Sequence, residues 1–393
     1  MGDGIRILAV HHDPGRNGAA LLFQSVLEGL AADHGARVSA VFPREGPLVA
    51  RARALGPVRV LNPPPSRRDL LTRLTRLTRL TRTGSNESWQ PSASEFDVVF
   101  ANSSASLATV ERLLPDDAIP LAAYVHESSY LLQHVVDFDA ATRMLRRSNL
   151  IFAVSNNVRL TLERLVQPAA KIVVVPGFIP THSTGTTAAA LPASLERHLS
   201  TGKPIVAAVG TMSWYKGTDL FIVVAQRVRE LLPDSDVTFV WVGEEWRTEV
   251  RHQVEHDVRL AGLDDVVLFP GTVADPLPLL RAASVFLLPS REDSWPLVML
   301  EAAAEGVPMV CFAGSGGAEQ FIATGGGTAV PYLDVEAMAQ TVVAYLTDPD
   351  RRARESDAAR AVSRLVDPRE QIDTIASGLA SCADRHEQGR GQT

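Results

Sequence analysis

The sequence predicts a two-domain α/β protein built on parallel sheets. Three observations carry this. Short β-branched apolar runs alternate with longer stretches of helical periodicity, the mark of βα units on a parallel sheet. The runs are apolar throughout, as strands covered on both faces must be. The 393 residues, 46% of them hydrophobic, exceed one compact core and suit two domains of about 150–200 residues.

In chain order, the first strand is 5-IRILAV-10, followed at once by His11, His12 and Asp13. The runs 97-DVVFAN-102, 121-LAAYV-125, 149-NLIFAVS-155 and 172-IVVVPG-177 continue the first half. The stretch 181-THSTGTTAAALPASLERH-198 is rich in Thr, Ser, Ala and Pro and has no strand pattern, so it reads as a linker. The rhythm then resumes in 204-PIVAAVGT-211, 237-VTFVWVGE-244, 265-DVVLFPG-271, 284-SVFLLPS-290 and 308-PMVCFAG-314. The expected organisation is a first domain over 1–180, a linker over 181–199 and a second domain over 200–365. A C-terminal helix with a polar, frayed tail follows over 366–393.

One low-complexity stretch interrupts the first domain, 71-LTRLTRLTRLTR-82. A period of three on a 3.6-residue helix drifts by about 60° per repeat, so its leucines smear over half the circumference. We expect a solvated insertion. A second reading makes 66–82 a basic surface helix in peripheral contact with anionic lipid.

The formal net charge of −7 argues against nucleic acid as a partner. Two cysteines, Cys311 and Cys382, are too few for a disulfide framework or a zinc ribbon. We expect no leader before the first strand, because 5-IRILAV-10 is short and His11, His12 and Asp13 follow it at once, and no apolar run reaches the length of a membrane span. A cytoplasmic protein is expected, with the inner face of the membrane as the alternative if 66–82 binds lipid. Only Lys171, Lys203 and Lys216 are lysines among 38 basic residues, so a lysine in a loop stands out.

Two stretches carry chemistry. In 209-VGTMSWYKGTDLF-221 a strand gives way to a loop, and Lys216-Gly217 opens a helix. A lysine beside free N–H groups at a helix N-terminus is an anion site. In 289-PSREDSWPLVMLEAAAEGVP-308, Asp293 precedes a helix and Glu301 lies about one turn inside it, with Pro296 at a first helical position and Gly306 closing the helix. Asp293 falls at the carboxyl edge of the sheet, where open α/β sheets bind ligands. The N–H groups near Leu297 and Val298 lie between the two acids. A sugar joined to a ribose by a diphosphate needs that order of carboxylate, N–H cradle, carboxylate. The blander alternative is a helix cap at Asp293 or Ser294 and a solvated Glu301.

Together these residues resemble the family-4, group 1 retaining glycosyltransferases of the GT-B fold. The run 290-SREDSWPLVMLEAAAEGVP-308 resembles their E-x7-E signature and 210-GTMSWYKG-217 their G-R-L-x-x-x-K-G donor loop. The segment 11-HHDPGRNGAALLF-23 resembles their first glycine-rich loop, and 124-YVHE-127 their acceptor-side histidine motif. The resemblance implies two Rossmann-like domains facing a central cleft, the first for acceptor and the second for donor. It implies that Glu301 holds the ribose hydroxyls, Asp293 the sugar hydroxyls and Lys216 the diphosphate. Gly18 and Ala19 let the backbone approach phosphate and sugar, and His126 reaches the sugar at the reacting centre. It implies a nucleotide-sugar co-substrate, no other cofactor and no obligatory metal. Three positions depart from the pattern. The first acid is Asp293, preceded by Glu292, which we keep among the donor contacts. Thr211 stands where the loop arginine is expected. Tyr215 precedes the lysine where a second basic residue is common. Arg291 and Arg16 are the expected substitutes for the missing cation.

Several patterns are discounted. His252 and His256 form an H-x-x-E-H, but the apolar stripe Val250, Val254, Val258, Leu260 leaves them on a solvated face. Asp234-Ser235-Asp236 sits in an ordinary turn. The segments 314-GSGGAEQF-321 and 324-TGGGTAV-330 open no first βαβ unit and so are not dinucleotide fingerprints; the first, with Glu319, fits the donor pocket. His11, His12 and His134 are weak acceptor-side candidates.

The expected activity is retaining transfer of a sugar to a hydroxyl of a surface polysaccharide, a lipid-linked acceptor or a natural product such as an aminocyclitol. The alternatives are a nucleotide-sugar epimerase or hydrolase of the same fold, or a non-catalytic nucleotide-sugar-binding protein.

Overall fold

A computed structural model describes residues 4–61, 89–114, 116–166, 171–179, 191–245 and 247–390. The leucine–threonine–arginine repeat, the proposed lipid contact over 66–82 and most of the expected linker lie outside them. Among the described residues the chain divides into two units. Unit 1 comprises Met1–Val154, Val158–Val175 and Arg369–Thr393; unit 2 comprises Ser155–Asn157 and Pro176–Pro368.

Unit 1 holds a parallel sheet of seven strands: β1 (Arg6–Val10), β2 (Arg37–Phe42), β3 (Val58–Val60), β4 (Val98–Asn102), β5 (Leu121–Val125), β6 (Leu150–Ala153) and β7 (Lys171–Val174). Their spatial order is β3-β2-β1-β4-β5-β6-β7. Every residue of β4 and β5 is buried, which explains why these two read so clearly as apolar runs. The direction of winding reverses between β1 and β4, and a crevice opens there at the carboxyl ends.

Unit 2 repeats the plan with β8 (Ile205–Val209), β9 (Thr238–Val242), β10 (Val267–Gly271), β11 (Val285–Leu288), β12 (Met309–Phe312) and β13 (Gly327–Val330). The order β10-β9-β8-β11-β12-β13 reverses between β8 and β11. Its core gathers Phe221, Phe239 and Trp241 from the strands and the helix Thr218–Leu231. The three rings meet edge to face at 5.2–5.6 Å, the geometry their quadrupoles favour.

Two regions differ from the expected organisation. The last seven residues of the expected linker form a helix, Ala193–Leu199, anchored by buried Leu195. The expected C-terminal helix runs over Pro368–Arg390, continuing through the stretch expected to fray, and packs within unit 1. Ile375, Leu379 and Cys382 are buried. A Cβ at Gly29 would lie 2.5 Å from Ile372, and one at Gly378 2.8 Å from Phe152, so both glycines permit this packing. The amphipathic spacing of Ile372, Ile375, Leu379 and Cys382 is the physical reason this segment does not fray.

Among the described residues, no helix is long and apolar enough to cross a membrane, and no group of three His, Cys, Asp or Glu side chains is placed to hold a metal ion. His252 and His256 are exposed, as expected. Leu260, assigned above to the apolar stripe, is 75% exposed; the helix Thr248–Leu260 buries only Val254 and Val258.

Candidate active site

In unit 2, the two loops singled out from the sequence leave the two strands flanking the reversal point. The loop after β8 turns at Gly210. Trp241 Nε1 donates to Gly210 O at 2.8 Å, and Gly243 approaches so closely that a Cβ there would sit 1.9 Å from that oxygen. Ser213 N–H then donates to Thr218 Oγ1 at 3.0 Å, which closes the turn carrying Trp214, Tyr215 and Lys216. Gly217, at φ 74°, precedes the helix Thr218–Leu231. Its left-handed backbone and a would-be Cβ 1.9 Å from Pro289 O make it a position for glycine alone.

The loop after β11 is laced to that turn. The backbone N–H groups of Arg291 and Glu292 both donate to Tyr215 O, at 2.8 and 3.2 Å. Asp293 N–H donates to Ser315 O, and Gly317 N–H to Asp293 O. The segment 314–317 therefore lies against Asp293, and Glu319 accepts from Gly314 N–H at 2.7 Å.

The consequence is a direct contact between residues 77 apart in sequence: Lys216 Nζ donates to Asp293 Oδ2. Their side chains are 21% and 10% exposed. Burial by itself would lower the Lys216 ammonium; Asp293 outweighs it and leaves the lysine above its ordinary value. Pro296 stands just before the helix Leu297–Ala304, and neither Asp293 nor Ser294 caps it. Glu301 is half-buried on this helix. Burial, with a smaller contribution from Asp275, raises its carboxyl above the ordinary range. The Glu301 carboxylate has no hydrogen bond or ion pair among the described residues, and Leu297 and Val298 have free first-turn N–H groups.

One expected substitute for the missing cation is already committed. Arg291 makes a bidentate pair with Asp219, at 2.8 and 2.7 Å, and lies over the exposed Trp214 ring at 4.9 Å. Like Lys216, it is therefore ion-paired before any ligand is present. Arg16, in unit 1, is exposed.

In unit 1 the corresponding crevice gathers groups the sequence reading left mostly unassigned. His12 follows β1, Asn102 ends β4, and His126 and Glu127 follow β5. His126 Nε2 lies 2.9 Å from Asn102 Oδ1. Asn102 Nδ2 lies 3.2 Å from His12 Nδ1 and 3.2 Å from Ala19 O. Glu127 is buried and accepts from Ser103 Oγ and from Ser104 N–H. Ser103 carries φ 71° without being glycine, a strained conformation of the kind that gathers at working sites. Burial pushes the His126 imidazole below its ordinary value despite the neighbouring Glu127 carboxylate, and His12 is likewise lowered by burial.

Gly18 and Ala19 open the helix Gly18–His34, capped by Asn17 Oδ1 on Ala20 N–H at 2.9 Å. Asp13 braces this loop, accepting from Gly15 N–H, Asn17 Nδ2 and Arg44 Nη2. His11 is a core residue rather than an acceptor-side group. It is 1% exposed and stacks on Phe42 at 4.0 Å. Asn102 was missed because a lone amide closing an apolar strand carries no motif; its only signal is its place at the end of a central strand.

Two family models match, in the order the two units occur. "Glycosyltransferase Family 4" matches residues 16–183 and "Glycosyl transferases group 1" matches residues 203–348. The chain belongs to the family-4, group 1 glycosyltransferases. Among curated glycosyltransferases it is 32% identical over 151 residues to the lipopolysaccharide core biosynthesis mannosyltransferase LpcC of Rhizobium leguminosarum bv. viciae, covering 38% of this chain and 42% of that one. It is 29% identical over 230 residues to a GDP-mannose-dependent α-(1-6)-phosphatidylinositol monomannoside mannosyltransferase of Mycolicibacterium smegmatis, covering 56% and 59%. These matches thus span about half the length of either relative. Among solved structures, Anabaena HepE in complex with UDP and glucose superposes with a TM-score of 0.71 at 20% identity, covering 96% of this chain and 100% of that one. At that identity the likeness speaks for the fold, which is GT-B.

Proposed function

We propose that the protein is a retaining glycosyltransferase that moves a hexosyl group from a nucleoside-diphosphate sugar to an acceptor hydroxyl. One observation carries this reading: Lys216 and Asp293 pair at the reversal point of unit 2, and Glu301, about one turn into the helix that follows Asp293, carries a carboxylate with no partner among the described residues. A diphosphate takes the Lys216 ammonium and the N–H groups of Leu297 and Val298. Asp293, released from Lys216, takes sugar hydroxyls, and Glu301 the ribose hydroxyls. Gly18, Ala19 and His126 of unit 1 serve the sugar and the acceptor side.

The anomeric C–O bond to the phosphate breaks and a bond to the acceptor oxygen forms on the same face. The acceptor proton leaves on the departing diphosphate. Negative charge grows on that group, where Lys216 and the helix N-terminus stabilise it. The protein's contribution is mainly positioning and electrostatics.

GDP-mannose is the first donor to test, because two relatives are named mannosyltransferases. Their named products favour a lipid-linked or polysaccharide acceptor over a small natural product. The decisive experiment is thermal melting with GDP, UDP, dTDP and ADP in turn. A ligand bound only by the folded state stabilises it by about 2.7 kcal/mol at a hundred times its dissociation constant. A rise with one nucleotide, abolished by Lys216→Ala, supports the donor site; no rise with any removes it.

A further inference from the structure

Two histidines of unit 1, His12 and His126, share a single amide, and its chemistry dictates theirs. Asn102 is fully buried. Its amide makes three contacts: Nδ2 with Ala19 O, Nδ2 with His12 Nδ1, and Oδ1 with His126 Nε2. Ala19 O is a backbone carbonyl and can only accept, so the amide nitrogen must face it. The second Nδ2 hydrogen then faces His12 Nδ1, which must accept. Oδ1 faces His126 Nε2, which must donate. Both imidazoles are held neutral by burial, so each carries one proton. Both are therefore Nε2–H tautomers. His126 is left with an unprotonated Nδ1, and His12 with a free Nε2–H. Among the described residues, neither of these atoms is a sealed, unpartnered side-chain atom, whereas both ring nitrogens of His11 are.

We propose that Asn102 is a positioning residue that fixes the tautomers of His12 and His126, making His126 a hydroxyl acceptor and His12 a hydroxyl donor. A sugar hydroxyl needs both, since it gives one proton and receives at its lone pairs. The anchor of the arrangement is the carbonyl of Ala19, in the first turn of the helix Gly18–His34, so the position of that helix end is passed directly to both rings. The charged and titratable groups facing the pair are Glu127, next to His126, and Glu127 and Asp13, near His12. The functional half of the proposal rests on the glycosyltransferase reading; the tautomer half does not.

The test is long-range ¹H–¹⁵N correlation NMR on the full protein labelled with ¹⁵N-histidine at neutral pH, with His12→Asn and His126→Asn to assign the signals. Both rings are expected as neutral Nε2–H forms. Asn102→Asp, the same shape without the donor, is the discriminating variant. A carboxylate only accepts, so His12 is expected to switch to Nδ1–H or to become cationic while His126 keeps Nε2–H. Sugar release or transfer from the donor should fall at least tenfold, with nucleotide affinity unchanged. Should that variant not fold, Asn102→Ser is expected to give mixed tautomers at both rings. A wild-type His126 in the Nδ1–H form, or a His12 indifferent to Asn102→Asp, overturns the proposal. Failure of nucleotide binding in the wild type overturns the glycosyltransferase reading instead and leaves the tautomer assignment standing.

Discussion

Single residues here pull stability and function in opposite directions. Glu301 is a half-buried carboxylate with no described partner, and burial raises its pKa. A raised carboxyl binds more protons folded than unfolded, so stability falls as pH climbs from the ordinary carboxylate value through the raised one. Above that window the cost is fully present. Glu301→Gln is therefore expected to melt at or above the wild-type temperature at pH 7, by up to about 1 kcal/mol, while losing most of the nucleotide-induced shift. A variant that is less stable and still binds nucleotide normally would contradict this.

Lys216 and Asp293 neutralise one another before any ligand arrives. Asp293→Asn removes the competitor for the lysine, so a nucleoside diphosphate should bind about two- to tenfold more tightly, a gain of roughly 0.4–1.4 kcal/mol. Transfer should nevertheless drop. Calorimetric titration and donor turnover measured on the same preparation check both halves.

His11 acts in the other direction on the pH axis. It is sealed between Phe23 and Phe42, and burial, then His12, lowers its pKa to about 3. Between its ordinary value of 6.5 and 3 the unfolded chain takes up a proton that the folded one refuses. The stability held above pH 6.5 is thus lost as pH falls, with a slope of at most about 1.4 kcal/mol per pH unit from this group. His11→Phe should flatten the acid limb by that one proton, read from denaturant melts between pH 7 and 4.

At the scale of elements, the site is two loops sewn together by backbone. Gly316, at φ 133°, would place a Cβ 2.0 Å from Asp293 O, and the two residues form an isolated parallel bridge. Gly316→Ala should cost about 2–3 kcal/mol and abolish the nucleotide shift by displacing Asp293. Thermal melting with and without nucleotide shows whether both effects appear together.

Legibility followed burial. Central strands such as β4, β5 and β12 read as apolar runs because both faces are covered. The edge strand β13 did not. Its Gly327–Val330 segment is mostly half-exposed and hid inside a glycine-rich run taken only as a decoy. The three-residue edge strand β3 is too short to show a period. Of the site, Lys216, Asp293 and Glu301 were legible because loop and helix signals placed them. The pairing of Arg291 with Asp219 was not, because it spans 72 residues and depends on which strands become neighbours.

At the scale of the whole molecule, the helix Pro368–Arg390 belongs from Arg369 onward to unit 1, although the long segment Pro176–Pro368 of unit 2 separates it from the rest. Vectorial synthesis reverses the usual order as a result. At about 5–20 residues per second, a ribosome spends on the order of tens of seconds making Pro176–Pro368 before that helix appears. Unit 2 is nearly continuous in the chain and can close as it emerges. Unit 1 meanwhile waits, its Leu150, Phe152 and Gly29 surface uncovered. The first part of the molecule to be translated is thus the later part to be completed, and a nascent chain paused inside unit 2 presents that bare apolar patch to whatever chaperone stands at the tunnel exit.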